Sequence, residues 1–373
     1  MKKAIKITVF VFLAQISLLV SAGNVFDQYN LTGEHHRFIQ QDEDIFWEGG
    51  LIHDLETDTL DISYPRMPHF TKYKIRYTKW TPMTSNNQVV IYNHGLQSHS
   101  GWFNETAEKL SALGYTVYAF DRIGTGTSGD GKSLLTADQT DEGMTMLNRG
   151  AGHTGNWKVY TRTIHLMKQL AKAQNPGKSI NIWANSYAAN IVTAYILQYE
   201  PEDVSAYVFT SPGLFSILPL PFPIDDLINS QPGTYFPTTI PEQNGDQGAY
   251  LFTSIPEYQN AITRDRRSQR DFTKEFYFNI LGIQNYHFGK AAQPGSYLDK
   301  TKRFYLVVNG DPMMSTQKTI DYVSQHASNA TLKLYNGGAD NRHFLTFTED
   351  AQQVLNDVDV FLTGQTVAGA EVF

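Results

Sequence analysis

The sequence contains no cysteine. That removes a disulfide framework, a thiolate nucleophile, zinc–thiolate sites and the acylated cysteine of a lipoprotein anchor. Beyond its N-terminus it has no apolar run long enough to span a membrane, which takes roughly 20 residues. Charge is not blocked: the net value of -7 is spread along the chain, and no basic stripe argues for nucleic acid. Internal repeats and low-complexity tracts are absent. A metal reading has little to rest on, since His35-His36 lacks a third ligand at zinc-site spacing. No cofactor motif is present, so neither metal nor cofactor is expected.

What is present begins with Met1-Lys-Lys-Ala-Ile-Lys6, a basic start followed by the apolar run Ile7–Val20 and the small residues Ser21-Ala22. This pattern predicts a secretory signal peptide over 1–22, cleaved near Ala22 or Gly23, because the run is short for a membrane anchor. Export to the periplasm or medium follows as an expectation, with no transmembrane span in the mature chain. Residues 23–65 are polar and read as an irregular extension lying over the domain.

The remainder alternates strand and helix patterns. Apolar runs at Gln88–Asn93, Thr116–Phe120, Ser179–Ala184, Val204–Thr210, Arg303–Val308 and Thr331–Tyr335 read as buried strands. Tyr73–Trp80 alternates and reads as an antiparallel strand. Helical spacing covers Trp102–Leu113, Trp157–Ala173, Tyr187–Gln198, Ser315–His326 and Glu349–Leu362. Such alternation predicts an α/β fold with a mostly parallel sheet and helices on both faces. The rhythm breaks over 212–298, too long for a crossover, which is read as an inserted cap. The core is then 66–211 and 299–373.

In open parallel sheets the site lies at the carboxyl ends of the strands. There the chain places His94-Gly95-Leu96, Asp121-Arg-Ile-Gly-Thr-Gly-Thr-Ser128, Ser186, Gly310-Asp311-Pro312, and a loop with Asp340 and His343. Ser186 sits between a strand and a helix, with small residues Ala184 and Ala188 two positions to either side. That is the layout of a nucleophile elbow with alanine in place of both usual glycines. A serine hydroxyl needs a neighbouring base, and an imidazole needs a carboxylate to fix its tautomer. His343 is the expected base and Asp311 the expected acid, with Asp340 in reserve.

At these motifs the chain resembles the α/β-hydrolase superfamily, most closely its monoacylglycerol lipase and lysophospholipase group, over roughly residues 75–365. The cap stretch Ile255-Pro-Glu-Tyr…Arg264-Asp…Arg270-Asp-Phe-Thr-Lys-Glu-Phe276 is similar to that of lysophospholipase-type members. The resemblance implies oxyanion donors on the backbone N–H groups of Leu96 and Tyr187. It also implies a structural His94 and a loop-bracing Asp121. This chain departs from the pattern at the acid, where Gly310 directly precedes Asp311, and before the serine, where Asn185 replaces a frequent histidine.

The implied activity is hydrolysis of carboxylic esters of acyl lipids through an acyl-enzyme on Ser186. Peptidase and thioesterase chemistry are alternatives on the same scaffold. The double glycine-to-alanine elbow keeps open a non-catalytic binding protein on a decayed scaffold. Apolar residues of 213–237, among them Phe215 and Phe222, are expected either to pack on the core domain or to line an acyl pocket, with others forming a lip that makes peripheral membrane contact.

Overall fold

The computed structural model describes residues 34–35, 38–48 and 72–373, except 123, 127–156, 232–233, 266 and 327. The signal-peptide reading, most of the N-terminal extension, and Ser128 of the glycine motif lie outside the described residues.

Among the described residues, ten strands form one sheet in the order β1-β2-β3-β5-β4-β6-β7-β10-β11-β12. They are β1 (Glu34–His35), β2 (Phe38–Glu48), β3 (Lys72–Thr81), β4 (Gln88–Asn93), β5 (Thr116–Phe120), β6 (Ser179–Asn185), β7 (Ala206–Thr210), β10 (Arg303–Val308), β11 (Ala330–Tyr335) and β12 (Glu371–Val372). From β5 across to β11 every pairing is parallel. β3 pairs antiparallel with β5, and β12 with β11.

The helices between them are α1 (Asn104–Ala112), α2 (Lys158–Gln174), α3 (Ala188–Tyr199), α8 (Thr316–Gln325) and α9 (Ala351–Leu362). The first expected helix starts later than its spacing suggests, because Ser100–Phe103 forms a 3₁₀ turn. Its N-cap, His99, is drawn into a cap contact described below.

Strand side chains alternate between two cores. Val89 and Ile91, Tyr118 and Phe120, Tyr207 and Phe209, and Tyr305 and Val307 face one side with α2 and α3. Val90 and Tyr92, Val117 and Ala119, Ala206 and Val208, and Phe304 and Leu306 face the other with α1 and α9. Both faces are dry, which is why these strands read as nearly continuous apolar runs.

One expectation is corrected. Part of the 23–65 extension is not irregular: Phe38–Glu48 pairs antiparallel with β3 from Ile39 opposite Thr81 to Glu48 opposite Lys72. Apart from its two-residue pairing with β1, β2 takes its order from the backbone ladder of β3 and needs no apolar alternation, so its polar sequence hid it.

Between β7 and β10 lie α4 (Ile224–Asn229), β8 (Tyr235–Pro237), α5 (Ala249–Phe252), α6 (Pro256–Arg264), β9 (Asp271–Thr273) and α7 (Lys274–Ala291). β8 and β9 pair antiparallel as a separate two-stranded sheet. A third apolar cluster joins this segment to the main sheet. Ile240, Leu251, Phe252 and Ile262 pack with Trp102, Met313, Phe344 and Phe347, which flank the loops at the carboxyl edge. Among the described residues, no helix is long and apolar enough to cross a membrane.

Candidate active site

β6 ends at Asn185 and α3 starts at Ala188, so Ser186 occupies the corner. Its φ is 51°, in the left-handed region that a non-glycine residue enters at a cost of about 1–3 kcal/mol. Three backbone bonds hold it there: Ser186 N–H donates to Thr210 O (2.9 Å), and Ser186 O accepts from Ala189 N–H (2.9 Å) and Gly213 N–H (2.8 Å). Gly213 must be glycine, because a Cβ there would stand 2.7 Å from both Ser186 C and Tyr187 N. Gly95 presses in from the other side, its hypothetical Cβ 3.2 Å from Ser186 Cβ.

His343 follows β11 and is completely buried. Its Nδ1 lies 2.6 Å from Asp311 Oδ2 and its Nε2 lies 2.8 Å from Ser186 Oγ. An ionised carboxylate only accepts, so Nδ1 carries the proton and the Nε2 lone pair faces the serine hydroxyl. Asp311 is itself fixed: its Oδ1 accepts from the N–H of Met313 (2.8 Å) and Met314 (3.1 Å), which leaves Oδ2 for the imidazole. Gly310 takes φ 72° to make the short turn that the missing spacer residues would otherwise supply. Of the two acids that sequence leaves open, Asp311 is the one brought to His343. Asp340 is exposed and faces Arg342 at 3.3 Å.

The loop after β4 is built on a buried arginine. Arg122 donates to the carbonyls of His94, Gly95 (2.9 Å) and Leu96 (3.3 Å). Within a trans peptide the N–H points opposite its carbonyl. Drawing Gly95 O toward Arg122 therefore turns Leu96 N–H away from the guanidinium. Among the described residues, neither Leu96 N–H nor Tyr187 N–H donates to another group.

His94 is spent on structure. Its Nδ1 lies 3.0 Å from Gly95 O and its Nε2 accepts from Arg122 N–H at 3.1 Å. Burial, and then the Arg122 charge, push its pKa well below the usual histidine value. Asp121 braces the same loop, accepting from Ser100 N–H at 2.7 Å. The second glycine of the motif explains itself, since a Cβ on Gly126 would overlap the Asp121 carboxylate. Asn185 has a structural partner too: its Oδ1 accepts from Thr210 Oγ1 at 3.0 Å, tying β6 to β7 below the corner.

Phe215 and Phe222, expected to line an acyl pocket, are half-buried and have ring partners of their own. Phe215 packs on Phe288 (5.1 Å) and Tyr322 (6.0 Å), in a groove of about 340 Å³ that Lys318 and His326 also line. Phe222 packs on Phe236 (4.6 Å) and Tyr277 (5.2 Å). The cap ring beside Tyr187 is Phe276, at 5.8 Å.

Sequence reasoning missed the polar groups by which the 212–298 segment bonds the surroundings of the site. Asp265 is buried and accepts from His99 Nε2 (2.9 Å) and Trp102 Nε1 (2.6 Å). Burial alone would raise its pKa, but facing His99, with the Arg267 charge and the Trp102 N–H, holds it down at about 2. His287 on α7 lies 2.9 Å from Asn190 Oδ1 on α3. Neither pair has a local signature; they are separated by 166 and 97 positions.

Comparison with known proteins agrees with this architecture. Residues 84–350 match the model of a hydrolase family described as serine aminopeptidase, S33. A monoacylglycerol lipase of Mycolicibacterium smegmatis is 28% identical over 141 residues, 38% of this chain and 43% of that protein, so the match spans less than half of the relative. A monoglyceride lipase homolog of monkeypox virus is 22% identical over 295 residues, covering 76% of this chain and 92% of its own length. Among solved structures, a soluble variant of the Saccharomyces cerevisiae monoglyceride lipase, in complex with a substrate analog, superposes with a TM-score of 0.60. The identity is 17%, over 80% of this chain and 97% of that one. The shared fold is that of the α/β-hydrolases.

Proposed function

The chain belongs to the serine aminopeptidase (S33) hydrolase family, and within it we propose a carboxylic ester hydrolase acting on acyl lipids of the monoacylglycerol or lysophospholipid class. The observation that carries the reading is the unbroken line Asp311–His343–Ser186, at 2.6 and 2.8 Å, beside two backbone N–H groups with no other described acceptor.

In the proposed reaction Ser186 Oγ attacks the ester carbonyl carbon while His343 Nε2 takes its proton. The carbonyl oxygen becomes an oxyanion held by Leu96 N–H and Tyr187 N–H. Asp311 stabilises the imidazolium. Collapse breaks the ester C–O bond, and the leaving alcohol takes the proton from His343. Water then attacks the acyl-serine with His343 again as base, releasing the fatty acid and regenerating the hydroxyl.

The acyl-lipid preference is supported by the cap. Ile217, Leu220, Ile224 and Ile228 are all exposed, at 56%, 41%, 48% and 54%. They lie within twelve positions of one another on the 213–237 segment. Such a group fits the lip proposed to meet lipid aggregates, with Phe215 and Phe222 set deeper on the same segment as acyl contacts. Export, read from the N-terminal pattern, belongs to the same proposal.

The test is a rate series over p-nitrophenyl esters of rising chain length, with monoacylglycerol, lysophosphatidylcholine and aminoacyl p-nitroanilides alongside. Apolar burial at about 0.8 kcal/mol per methylene requires kcat/KM to climb beyond butyrate until the pocket fills. A profile flat or falling from acetate onward, or faster cleavage of the anilides, rejects the acyl-lipid reading.

A further inference from the structure

Four loops carry the residues of the site, and the cap segment makes a hydrogen bond to the neighbourhood of each. Beside Asp311, Ile217 N–H donates to Met313 O at 2.9 Å and Phe215 O accepts from Ser315 N–H at 2.8 Å. Beside His343, the carbonyls of Leu251 and Phe252 accept from the N–H groups of His343 and Phe344, both at 3.0 Å. Beside Leu96, Gln97 O accepts from Gln269 N–H at 2.8 Å, and Asp265 takes the ring N–H groups of His99 and Trp102. Beside Tyr187, His287 bonds Asn190. The Asn190 amide then donates to Gly213 O at 2.7 Å, on the residue whose backbone abuts Ser186 and Tyr187.

The last two links run side chain to side chain through dry interior. Asp265, His99, Asn190 and His287 are 2%, 1%, 0% and 0% exposed. Each polar atom in the first link has an assigned role. His99 Nδ1 accepts from Gly101 N–H at 3.0 Å, so Nε2 bears the proton given to Asp265. The second Asp265 oxygen accepts from Arg267 N–H at 3.1 Å. A cap that swung away would part this carboxylate from the two ring N–H groups and break every one of these bonds at once.

Resting on the reading of Ser186 as nucleophile, we infer that the cap is a fixed part of the reaction frame, and that Asp265 and His287 are positioning residues for the two oxyanion donors. Asp265 holds the loop that presents Leu96 N–H. His287, through Asn190, holds the turn that presents Tyr187 N–H. Donors aimed at a developing oxyanion matter more in the transition state than in the bound ester, so loosening them lowers kcat rather than raising KM.

The experiment uses the full chain with Asp265→Ala and His287→Ala, and the conservative Asp265→Asn and His287→Gln. Asparagine keeps an acceptor for His99 and Trp102, and glutamine keeps a donor for Asn190. Rates are normalised to the fraction of Ser186 labelled by a fluorophosphonate. The alanine variants should lose about 10²-fold in kcat with KM within about threefold, and the conservative variants should recover most of it. Unchanged kcat, or an effect confined to KM, overturns the inference. Hydrogen exchange supplies a readout that needs no turnover. Amides 94–101 in Asp265→Ala, and 186–190 in His287→Ala, should exchange faster than in wild type while those of β10 do not. Equal exchange overturns the inference even if the wild type hydrolyses nothing, an outcome that would separately reject the hydrolase reading.

Discussion

Replacing His287 by glutamine should remove one defined component of the protein's acid sensitivity. His287 is completely buried, and burial lowers its pKa from 6.5 to about 3, with no charged group contributing. The Asn190 amide donates to Gly213 O, which turns its Oδ1 toward His287 and assigns the single imidazole proton to Nε2. Nδ1 has no partner among the described residues, and the imidazole packs on the Phe288 ring, at 4.1 Å between centroids. A second proton would therefore be a buried charge with nothing to receive it. The sign follows from proton counts. Below pH 6.5 the unfolded chain protonates this histidine while the folded chain does not until about pH 3, so stability falls as pH drops through that window. Above 6.5 the two states bind alike and the group is silent. At one pKa unit per 1.36 kcal/mol, lowering the pH from 7.5 to 4.5 costs the wild type about 2–3 kcal/mol through this residue alone. Glutamine keeps the bond to Asn190 and does not titrate. Urea unfolding followed by tryptophan fluorescence at both pH values measures the difference. The other groups with shifted pKa values, His94 and Asp265 among them, are common to both proteins and cancel. If wild type and His287→Gln lose the same stability between pH 7.5 and 4.5, the neutral buried imidazole is wrong.

Ser186→Ala should reduce ester hydrolysis to below about a thousandth of wild type without changing the circular dichroism spectrum. Asp311→Asn should cost turnover about 10⁴-fold by presenting the wrong tautomer of His343, while Asp340→Asn should be close to neutral; the reverse ranking would reassign the acid. Arg122→Leu strands the carbonyls of His94, Gly95 and Leu96, at about 1–3 kcal/mol for each left unpaired. Thermal unfolding should fall accordingly, and an unchanged midpoint would show that Arg122 does not hold the loop. Ile224→Ser with Ile228→Ser should weaken binding to phosphatidylcholine vesicles, read by sedimentation, while soluble short esters turn over as before; undiminished binding would remove the lip from the proposal.

The strands were legible because both faces of the sheet are covered, so runs such as Val89–Tyr92 and Phe304–Val308 carry apolar side chains to two cores at once. The corner at Ser186 was legible from its small neighbours, Ala184 and Ala188, both fully buried. Asp311 could be picked from its place after β10, although its distance from His343 could not. β2 escaped notice because its order comes from the backbone ladder it forms with β3 and not from an apolar alternation. Arg122 stood in plain view inside the glycine motif as a variable position. Its role depends on three carbonyls 26 to 28 positions away that only the folded loop brings together. The same holds for Asp265 and His287, whose partners lie on the far side of the insertion. Periodicity reports which face of an element is dry; it carries no information about which polar atoms meet inside.

The alanine elbow bears on whether the scaffold is a working enzyme. The usual glycines relieve crowding where the turn approaches its neighbours, and their loss invites the reading of a decayed site. Here the closest approach is instead made by Gly213, where any Cβ would strike the Ser186–Tyr187 backbone, and by Gly95 against Ser186 Cβ. The requirement for a missing side chain has been met from the opposing loops, so Ala184 and Ala188 pack without displacing the corner. The short acid loop is accommodated in a similar way, by the left-handed Gly310 and by the two N–H groups that fix Asp311 Oδ1. Ser186 nonetheless remains in a left-handed conformation that glycine would adopt without strain, and His343 remains sealed from solvent against a carboxylate. A pure binding scaffold gains no stability from either feature. A fluorophosphonate should therefore label the wild type at Ser186, lose that label in His343→Ala, and lose most of its labelling rate in Asp311→Asn. Labelling that is absent in the wild type, or indifferent to both substitutions, would return the chain to the non-catalytic reading.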